Sequence, residues 1–221
     1  MPRPEKPTTL RAHAAAVVRE MVIAGELKPG QRINEVELAK QLELSRGILR
    51  EALSALEQEG LLVSKPRRGV FVRRLLPAEA ADISEVRLAL ETTAALRIGR
   101  GDIGPALEVI GARYAELERL VDEPYSVRVR ADLAFHESVC ACSGNAALLR
   151  SWQALMGSYL AMLLSVQASQ EDLLEPALHK PLLEAIRSHD AAVIDAAWRE
   201  HFASGVSHII STLEANEADD R

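Results

Sequence analysis

Apolar residues recur at helical spacing through most of the chain, and one short region breaks this pattern. The spacing predicts helices over residues 10–24, 35–42 and 45–59. Two short runs rich in β-forming residues follow, at 61–63 and 69–72, and a basic segment separates them. Helix, helix, turn, helix and basic hairpin is the order of elements in a winged helix-turn-helix. We therefore predict such a domain over residues 8–75.

The second part of the chain has helical periodicity and no convincing strand. Gly, Pro and Asn residues between the periodic segments separate six predicted helices. The pattern does not define the first residue of the fifth helix. These helices cover about 78–98, 105–121, 126–142, 146–166, 181–187 and 191–213. An aromatic content of 4% fits a helical bundle built from Ala and Leu. The predicted fold class is mainly α, with a winged helix-turn-helix followed by an all-α helical bundle over residues 76–215.

The two predicted domains differ in charge. Residues 1–76 contain 14 Lys and Arg against 9 Asp and Glu, a net charge of +5, whereas the remainder contains 12 against 23, a net charge of −11. Only the first domain has the net positive charge that favours binding to a polyanion. No apolar stretch is long enough for a membrane span, and the composition suggests neither a signal peptide nor a disulfide framework. We expect a cytoplasmic protein with no membrane partner.

Two arginines at the start of the predicted third helix favour nucleic-acid binding. Arg46 and Arg50 are four residues apart, so they share a face that points away from the apolar Leu49 and Leu53. In a helix-turn-helix this end enters the major groove, where a guanidinium can bind a guanine edge or a phosphate. Ser45, a natural N-cap, and the free backbone N–H groups beside it can bind a phosphate oxygen. The alternative is a solvated helix face with local ion pairs.

Basic residues of the predicted hairpin extend this candidate surface. Lys65, Arg67 and Arg68 lie at or beside the tip of the hairpin. They would attract the phosphate backbone or reach the minor groove. Helix order, hairpin and regional charge together predict binding to double-stranded DNA.

Four residues of the helical part could converge on a metal ion. Asp132 and His136 are four residues apart on one predicted helix, so their side chains lie on the same face. His179 lies near the fifth helix and His201 within the sixth, and side chains from several helices can meet inside a bundle. One carboxylate and three imidazoles suit a divalent ion, Zn²⁺ first, with Ni²⁺ or Mn²⁺ as alternatives. Taken singly, each histidine is more often a surface residue or a hydrogen-bonded core residue.

The first domain resembles the DNA-binding domain of GntR-family transcription regulators over roughly residues 10–75. The resemblance is carried by the stretches Ile23–Glu35, Leu38-Ala39, Ser45–Leu53, Glu59–Leu61 and Arg68–Val72. It implies DNA contacts at five positions, Ser45, Arg46, Arg50, Arg68 and Gly69. The family commonly has Thr-Pro or Thr-Thr after the first arginine, where this chain has Gly47-Ile48. A hydroxyl that could touch DNA is therefore missing, and we expect a different operator preference.

The helical part is similar to the FCD ligand-binding domain of the FadR subfamily over roughly residues 78–215, and its six helices look closer to the VanR-like branch. The stretches that carry the similarity are Asp132–His136, Ser143–Asn145, His179 with Leu182–Ile186 and Asp190, and Ala197 with His201. In that family these positions bind a metal, which implies four ligands, Asp132, His136, His179 and His201. Pro181 departs from the pattern because the family continues a helix there. If the helix starts late, at Pro181, the sequence does not determine where the His179 side chain lies.

The resemblance also implies a homodimeric, ligand-responsive regulator, most often a repressor, that binds a palindromic operator. A small organic acid would occupy open metal positions with its carboxylate, and an arginine would bind its other end. Arg87 is the candidate arginine, and a surface salt bridge with Glu91 is its alternative. Asn145 is a candidate pocket residue, although its context favours a turn.

Two other hypotheses stay open for the metal site. A metal-dependent hydrolase could use three histidines and an aspartate to activate water, but no second carboxylate is clearly placed as a general base beside His136 or His201. A purely structural metal is the other hypothesis. Both leave the predicted ligands unchanged and differ in what the site does.

Overall fold

The computed structural model describes residues 9–166 and 171–219, which divide into two compact units between Arg74 and Leu75. The N-terminal unit has the predicted order of elements, which confirms the winged helix-turn-helix. Its elements are α1 (Leu10–Ile23), α2 (Glu35–Gln41), α3 (Arg46–Gln58), β1 (Leu62–Lys65) and β2 (Gly69–Val72).

Side-chain caps begin the helices of this unit at the predicted places. Thr9 Oγ1 accepts a hydrogen bond from the backbone N–H of Ala12, and Ser45 Oγ accepts one from that of Ile48. Each cap satisfies an N–H group that has no partner inside the helix. Helix α1 packs against α3, and its Val18 is completely buried.

The hairpin pairs antiparallel, with Leu62 opposite Val72 and Lys65 opposite Gly69. Arg32 forms an additional antiparallel bridge with Phe71, so a third short segment joins the hairpin. This bridge was not predicted because a single paired residue leaves no alternating pattern in the sequence.

The C-terminal unit contains six α-helices within the described residues, as predicted, and a 3₁₀ turn. They are α4 (Pro77–Gly99), α5 (Gly104–Arg119), α6 (Tyr125–Cys142), α7 (Ala146–Ser165), α8 (Pro176–Arg187) and α9 (Ala191–Asp219), with the 3₁₀ turn at Glu171–Leu174. The core between them includes Phe135, Trp152, Leu182 and Trp198. None of the described helices combines the length and the hydrophobicity that crossing a membrane requires.

The expected late start of the fifth helix of the bundle is wrong. Helix α8 begins at Pro176, where a proline is tolerated because the first-turn N–H groups have no helical partner, and Pro181 lies inside the helix. Pro181 has no N–H to donate to the carbonyl of Ala177, but the helix continues through it. His179 is therefore a helical residue, and it is completely buried.

Candidate functional site

Three arginines and the first residue of β2 line one concave surface of the N-terminal unit. Arg46 and Arg50 come from α3, the recognition helix of the helix-turn-helix. Gly69 comes from the β1–β2 hairpin, which is the wing, and Arg32 from the segment bridged to the wing. The three arginines are exposed. Arg68 lies exposed between β1 and β2, so the structure places the predicted DNA-contacting residues on the recognition helix and the wing.

Arg50 has an ion-pair partner that its own helix does not supply. Its Nε donates to Glu35 Oε2 at 2.8 Å, and Glu35 belongs to α2. The hydrogen bond and the negative charge of Glu35 raise the pKa of Arg50. The Arg50 side chain is 65% exposed, and exposed ion pairs of this kind contribute little to stability. A phosphate oxygen could therefore replace the Glu35 carboxylate.

Arg32 is a candidate DNA-contacting residue that the sequence analysis did not assign. A Cβ atom at Gly69 would lie 3.3 Å from Arg32 Nε, so the guanidinium rests on the wing at the position where a side chain is absent. Gly69 also has φ +94°, in the region that favours glycine. The sequence shows Arg32 only as a basic residue next to a turn, and this pattern is too common to identify a DNA-contacting residue.

Replacement of Gly69 by Ala is expected to lower the free energy of unfolding by about 1–2 kcal/mol, because a Cβ at positive φ is strained. Urea denaturation of the full chain measures the effect. Gly47→Ala is the matched control in the same unit: Gly47 is helical, a Cβ there would make only an ordinary van der Waals contact with Ser45 Oγ at 3.9 Å, and Ala is expected to stabilise by up to about 1 kcal/mol. Equal effects of the two substitutions would contradict the assigned backbone strain.

In the C-terminal unit, three helices bring three imidazoles together. His136 of α6, His179 of α8 and His201 of α9 each offer a nitrogen, and these nitrogens all lie within 4.8 Å of one another. Asp132 Oδ1 lies 3.0 Å from His179 Nε2 and 3.8 Å from His136 Nε2. The four predicted metal ligands are thus neighbours, although they come from distant parts of the chain.

Each imidazole is oriented by an oxygen on its Nδ1 side. His136 Nδ1 lies 2.6 Å from Glu91 Oε2, and His201 Nδ1 lies 3.2 Å from the carbonyl oxygen of Leu178. His179 Nδ1 lies 3.1 Å from the carbonyl oxygen of Glu175. Carbonyl and carboxylate oxygens accept hydrogen bonds, so we assign the proton to Nδ1 and the lone pair to Nε2 in His136 and His201. His179 has an acceptor on both sides, because its Nε2 lies 3.0 Å from Asp132 Oδ1, and it would give up that second hydrogen bond to present Nε2 to a metal. Protein metal sites orient histidine ligands in this way.

The buried nitrogen of His136 tests whether the residues fit a metal. Within the described part of the chain, His136 Nε2 is buried and has no hydrogen-bond partner. Buried polar atoms rarely lack a partner, because desolvation is then uncompensated. Three imidazoles and a carboxylate are also the donor set that Zn²⁺ binds. The residues present therefore fit a divalent metal.

The electrostatic surroundings favour the protonation states in which Asp132 and His201 can bind a metal. Burial by itself would raise the pKa of Asp132, but the neighbouring His179 and His136 and the Arg87 charge lower it to about 2. His201 is half-buried, and desolvation of its ring together with the two other histidines lowers its pKa to about 3. At neutral pH Asp132 is therefore an anion and His201 is neutral.

Glu91 lies behind His136, and the sequence analysis named it only as an alternative partner of Arg87. Its Oε1 accepts hydrogen bonds from Arg87 Nη2 at 2.7 Å and from Trp152 Nε1 at 2.8 Å. Burial opposes ionisation, but the charges of Arg87 and His136 lower the pKa of Glu91 below its usual range. The alternative reading of Arg87, a surface salt bridge with Glu91, is confirmed in its pairing and wrong about the surface, since both side chains are buried.

Arg87 also packs on an aromatic ring next to the cluster. Its guanidinium carbon lies 3.4 Å from the centre of the Tyr159 ring, and Tyr159 Oη donates to Asp132 Oδ2 at 3.3 Å. Arg87 is 3% exposed. The structure thus places Arg87 beside Tyr159 and next to the histidine cluster, while its contact with an effector stays a prediction.

Asn145 is the N-cap of α7. Its side-chain oxygen accepts hydrogen bonds from the backbone N–H groups of Ala147 and Leu148. This is the turn position that its sequence context favours. Its role in effector binding stays a prediction.

A cavity of about 210 Å³ opens beside the histidines. Asp132, Tyr159 and His201 supply polar groups to its wall, and Glu200 and Ser204 also line it. The remaining lining is mostly apolar, from Leu163, Leu173, Ala177, Leu178, Pro181, Ala197, Gly205 and Ile209. A mostly apolar cavity with a few polar groups is typical of small-molecule sites.

A second carboxylate for the hydrolase hypothesis has two candidates, Glu91 and Glu200, and Glu200 lines the cavity together with His201. Glu91 lies beside His136, on the Nδ1 side of the ring. Both of its oxygens take part in hydrogen bonds with Arg87, Trp152 or His136. Glu91 is therefore placed to orient a ligand and not to take a proton from a water on the Nε2 side.

Family comparisons identify both units. Residues 10–72 match the model described as bacterial regulatory proteins, gntR family, and residues 82–204 match the FCD domain. The chain belongs to the GntR family. Its relatives include the protein named "Probable D-xylose utilization operon transcriptional repressor" of Paenarthrobacter nicotinovorans, 31% identical over 88% of this chain and 88% of that protein. The HTH-type transcriptional regulator LutR of Bacillus subtilis is 28% identical over 89% of this chain and 99% of its own length.

Solved structures of GntR-family proteins show the same fold. E. coli McbR/YncC superposes with a TM-score of 0.77 at 19% identity, covering 92% of this chain and 98% of that one. At this identity the likeness concerns the fold alone. The relatives named above are transcription regulators by name, so the chain is a GntR-family transcription regulator with an FCD domain.

Proposed function

We propose that this GntR-family chain is a repressor whose FCD domain binds a divalent metal, Zn²⁺ first, and a small carboxylate metabolite upon it. The observation that supports this most is the histidine cluster, in which nitrogens of three imidazoles lie within 4.8 Å of one another and His201 lines a cavity. Asp132, His136, His179 and His201 would hold the metal, which supplies positive charge and open coordination positions for a carboxylate.

The protein groups around the metal would select and enclose such a ligand. Asp132 and His201 reach the cavity directly, and Tyr159 lies beside Asp132. The apolar remainder of the wall would cover the carbon skeleton of the metabolite and exclude water. In this arrangement the histidines hold the metal, the metal binds the effector, and no general base is needed.

DNA recognition would require two copies of the chain. A homodimer with two-fold symmetry places one recognition helix on each half of a palindromic operator. The dimer would have two arrangements that differ in the spacing of the two recognition helices. The effector would shift the equilibrium between these arrangements only as far as its affinity for them differs. Repression relieved by the effector is the behaviour we propose, and a regulator of this kind acts in the cytoplasm.

Replacement of Arg46 by Ala is expected to weaken operator binding by about tenfold to 100-fold, because one guanidinium contact with a base or phosphate is lost. The operator is first selected from random-sequence duplex DNA with the full-length wild-type chain. Binding is then measured by fluorescence anisotropy across a series of salt concentrations.

Arg119→Ala serves as the control for this measurement. Arg119 is 70% exposed, but it lies at the end of α5 in the FCD domain, so its loss should leave DNA affinity unchanged. Selection that enriches no two-fold symmetric sequence at low salt would refute the proposed mode of DNA binding. Wild-type affinity in Arg46→Ala would remove Arg46 from the interface.

A further inference from the structure

The cavity beside the histidines has an acidic wall. Asp132 and Glu200 line it, and no lysine or arginine does so among the residues that the structure describes. Arg87 lies next to the histidine cluster, but it is paired with Glu91 and is not part of the lining. A ligand in the cavity therefore meets anionic and neutral protein groups and no basic side chain.

Helix α9 presents Glu200 to this cavity. The lining residues of α9 recur at helical spacing and form one stripe, which consists of Ala197, Glu200, His201, Ser204, Gly205 and Ile209. Glu200 and Ser204 are four residues apart, so they differ by about 40° around the helix axis. At 100° per residue, His201 lies near the centre of the stripe and Glu200 at its edge. Glu200 is exposed, so this edge is the mouth of the cavity.

Glu200 has no protein partner at this place. Within the described part of the chain, its carboxylate makes no hydrogen bond or ion pair. The neighbouring Arg199 is paired with Asp195, one helical turn earlier, at 2.6 Å. An unpaired carboxylate at the mouth of a mostly apolar cavity attracts a positively charged group and repels an anion.

The charges around the proposed metal lead to the same requirement. The negative charges of Asp132 and of a bound carboxylate would balance the two positive charges of the metal, and Arg87 and Glu91 neutralise each other. The charge of Glu200 is then left without compensation. A second carboxylate on the ligand would add to this negative charge, whereas an ammonium group would cancel it.

We propose that Glu200 binds an ammonium group of the effector, which is therefore a short amino acid with its carboxylate on the metal. The ammonium donates hydrogen bonds to the Glu200 carboxylate at the mouth of the cavity. A volume of about 210 Å³ equals that of about seven waters at ~30 Å³ each, which limits the length of such a molecule. This inference rests on the proposed function, because it needs a carboxylate on the metal, and it narrows the effector class from organic acids to zwitterions.

Three acids that share one CH₂–CH₂–COO⁻ unit test the role of Glu200. Butyrate, 3-aminopropionate and succinate differ only in the terminal group, which is a methyl, an ammonium or a second carboxylate. Each is titrated into the zinc-loaded, full-length chain at neutral pH by isothermal calorimetry. Wild type is expected to bind 3-aminopropionate at least about threefold more tightly than butyrate, and succinate more weakly than either. Pentanoate and 4-aminobutyrate repeat the first comparison with one more methylene, and the preference is expected in at least one of the two pairs.

Glu200→Gln keeps the size of the side chain and removes its charge. The preference for the amino acid over the alkyl acid should disappear in this variant, and succinate should gain affinity relative to butyrate, with the zinc content unchanged. Glu214→Gln is the matched control. It makes the same change at an exposed position of α9 outside the cavity, so it should alter none of these affinities.

The remaining outcomes distinguish this inference from the proposed function. Equal binding of the amino acid and the alkyl acid by wild type in both pairs overturns the role of Glu200 and leaves the metal-bound carboxylate intact. The same holds for a preference that survives in Glu200→Gln, or for succinate binding wild type more tightly than both amino acids. If none of the five acids binds to the zinc-loaded wild-type chain, both proposals fail.

Discussion

Replacement of His179 by Ala is expected to lower the zinc affinity of the chain by at least about 100-fold. The loss should exceed the ~10–100-fold effect of removing an outer hydrogen-bond partner of a ligand, because the imidazole itself is removed. His179 is the completely buried member of the cluster, and its Nε2 lies closest to Asp132. Competition with a chromophoric chelator measures the affinity.

His208→Ala is the matched control for this experiment. His208 lies exposed on α9, outside the cluster, so its loss should leave zinc affinity unchanged. Wild-type affinity in His179→Ala would show that the cluster is not the metal centre. If His179→Ala loses only thermal stability and keeps its response to carboxylates, the metal is structural and does not take part in sensing.

The elements of the fold could be predicted because their signals are local. Ser45 marks the start of the recognition helix as an N-cap, and the structure shows the side chain in that role. The same reasoning fails at α8, because it predicts Pro181 in the first turn, whereas Pro176 begins the helix. A proline indicates a restricted backbone, but its position in a helix depends on packing that the sequence does not display.

The site could be predicted only where its residues share a helix or a family motif. The spacing of Asp132 and His136 on one helix identifies the pair. Their places on the predicted helices make His179 and His201 candidates, and the resemblance implies all four as ligands. Glu91 could not be assigned to His136, because they are distant in sequence and meet only when α4 packs against α6.

Replacement of Glu91 by Ala is expected to lower the free energy of unfolding by about 3–5 kcal/mol, because the buried Arg87 charge loses its counterion. Trp152 Nε1 loses its acceptor in the same step. Zinc affinity should also fall, by about 10–100-fold, since His136 loses the oxygen that orients it. Denaturant unfolding of the metal-free chain and chelator competition measure the two effects separately.

The double variant Arg87→Met/Glu91→Leu separates the two roles of Glu91. Removing both charges leaves no buried ion without a partner, so most of the lost stability should return. Zinc affinity should stay weakened, because His136 Nδ1 still faces no carboxylate. If the double variant is as unstable as Glu91→Ala, the instability comes from lost packing and not from the Arg87 charge. If the double variant binds zinc like wild type, His136 needs no orienting oxygen, and Glu91 serves only as the counterion of Arg87.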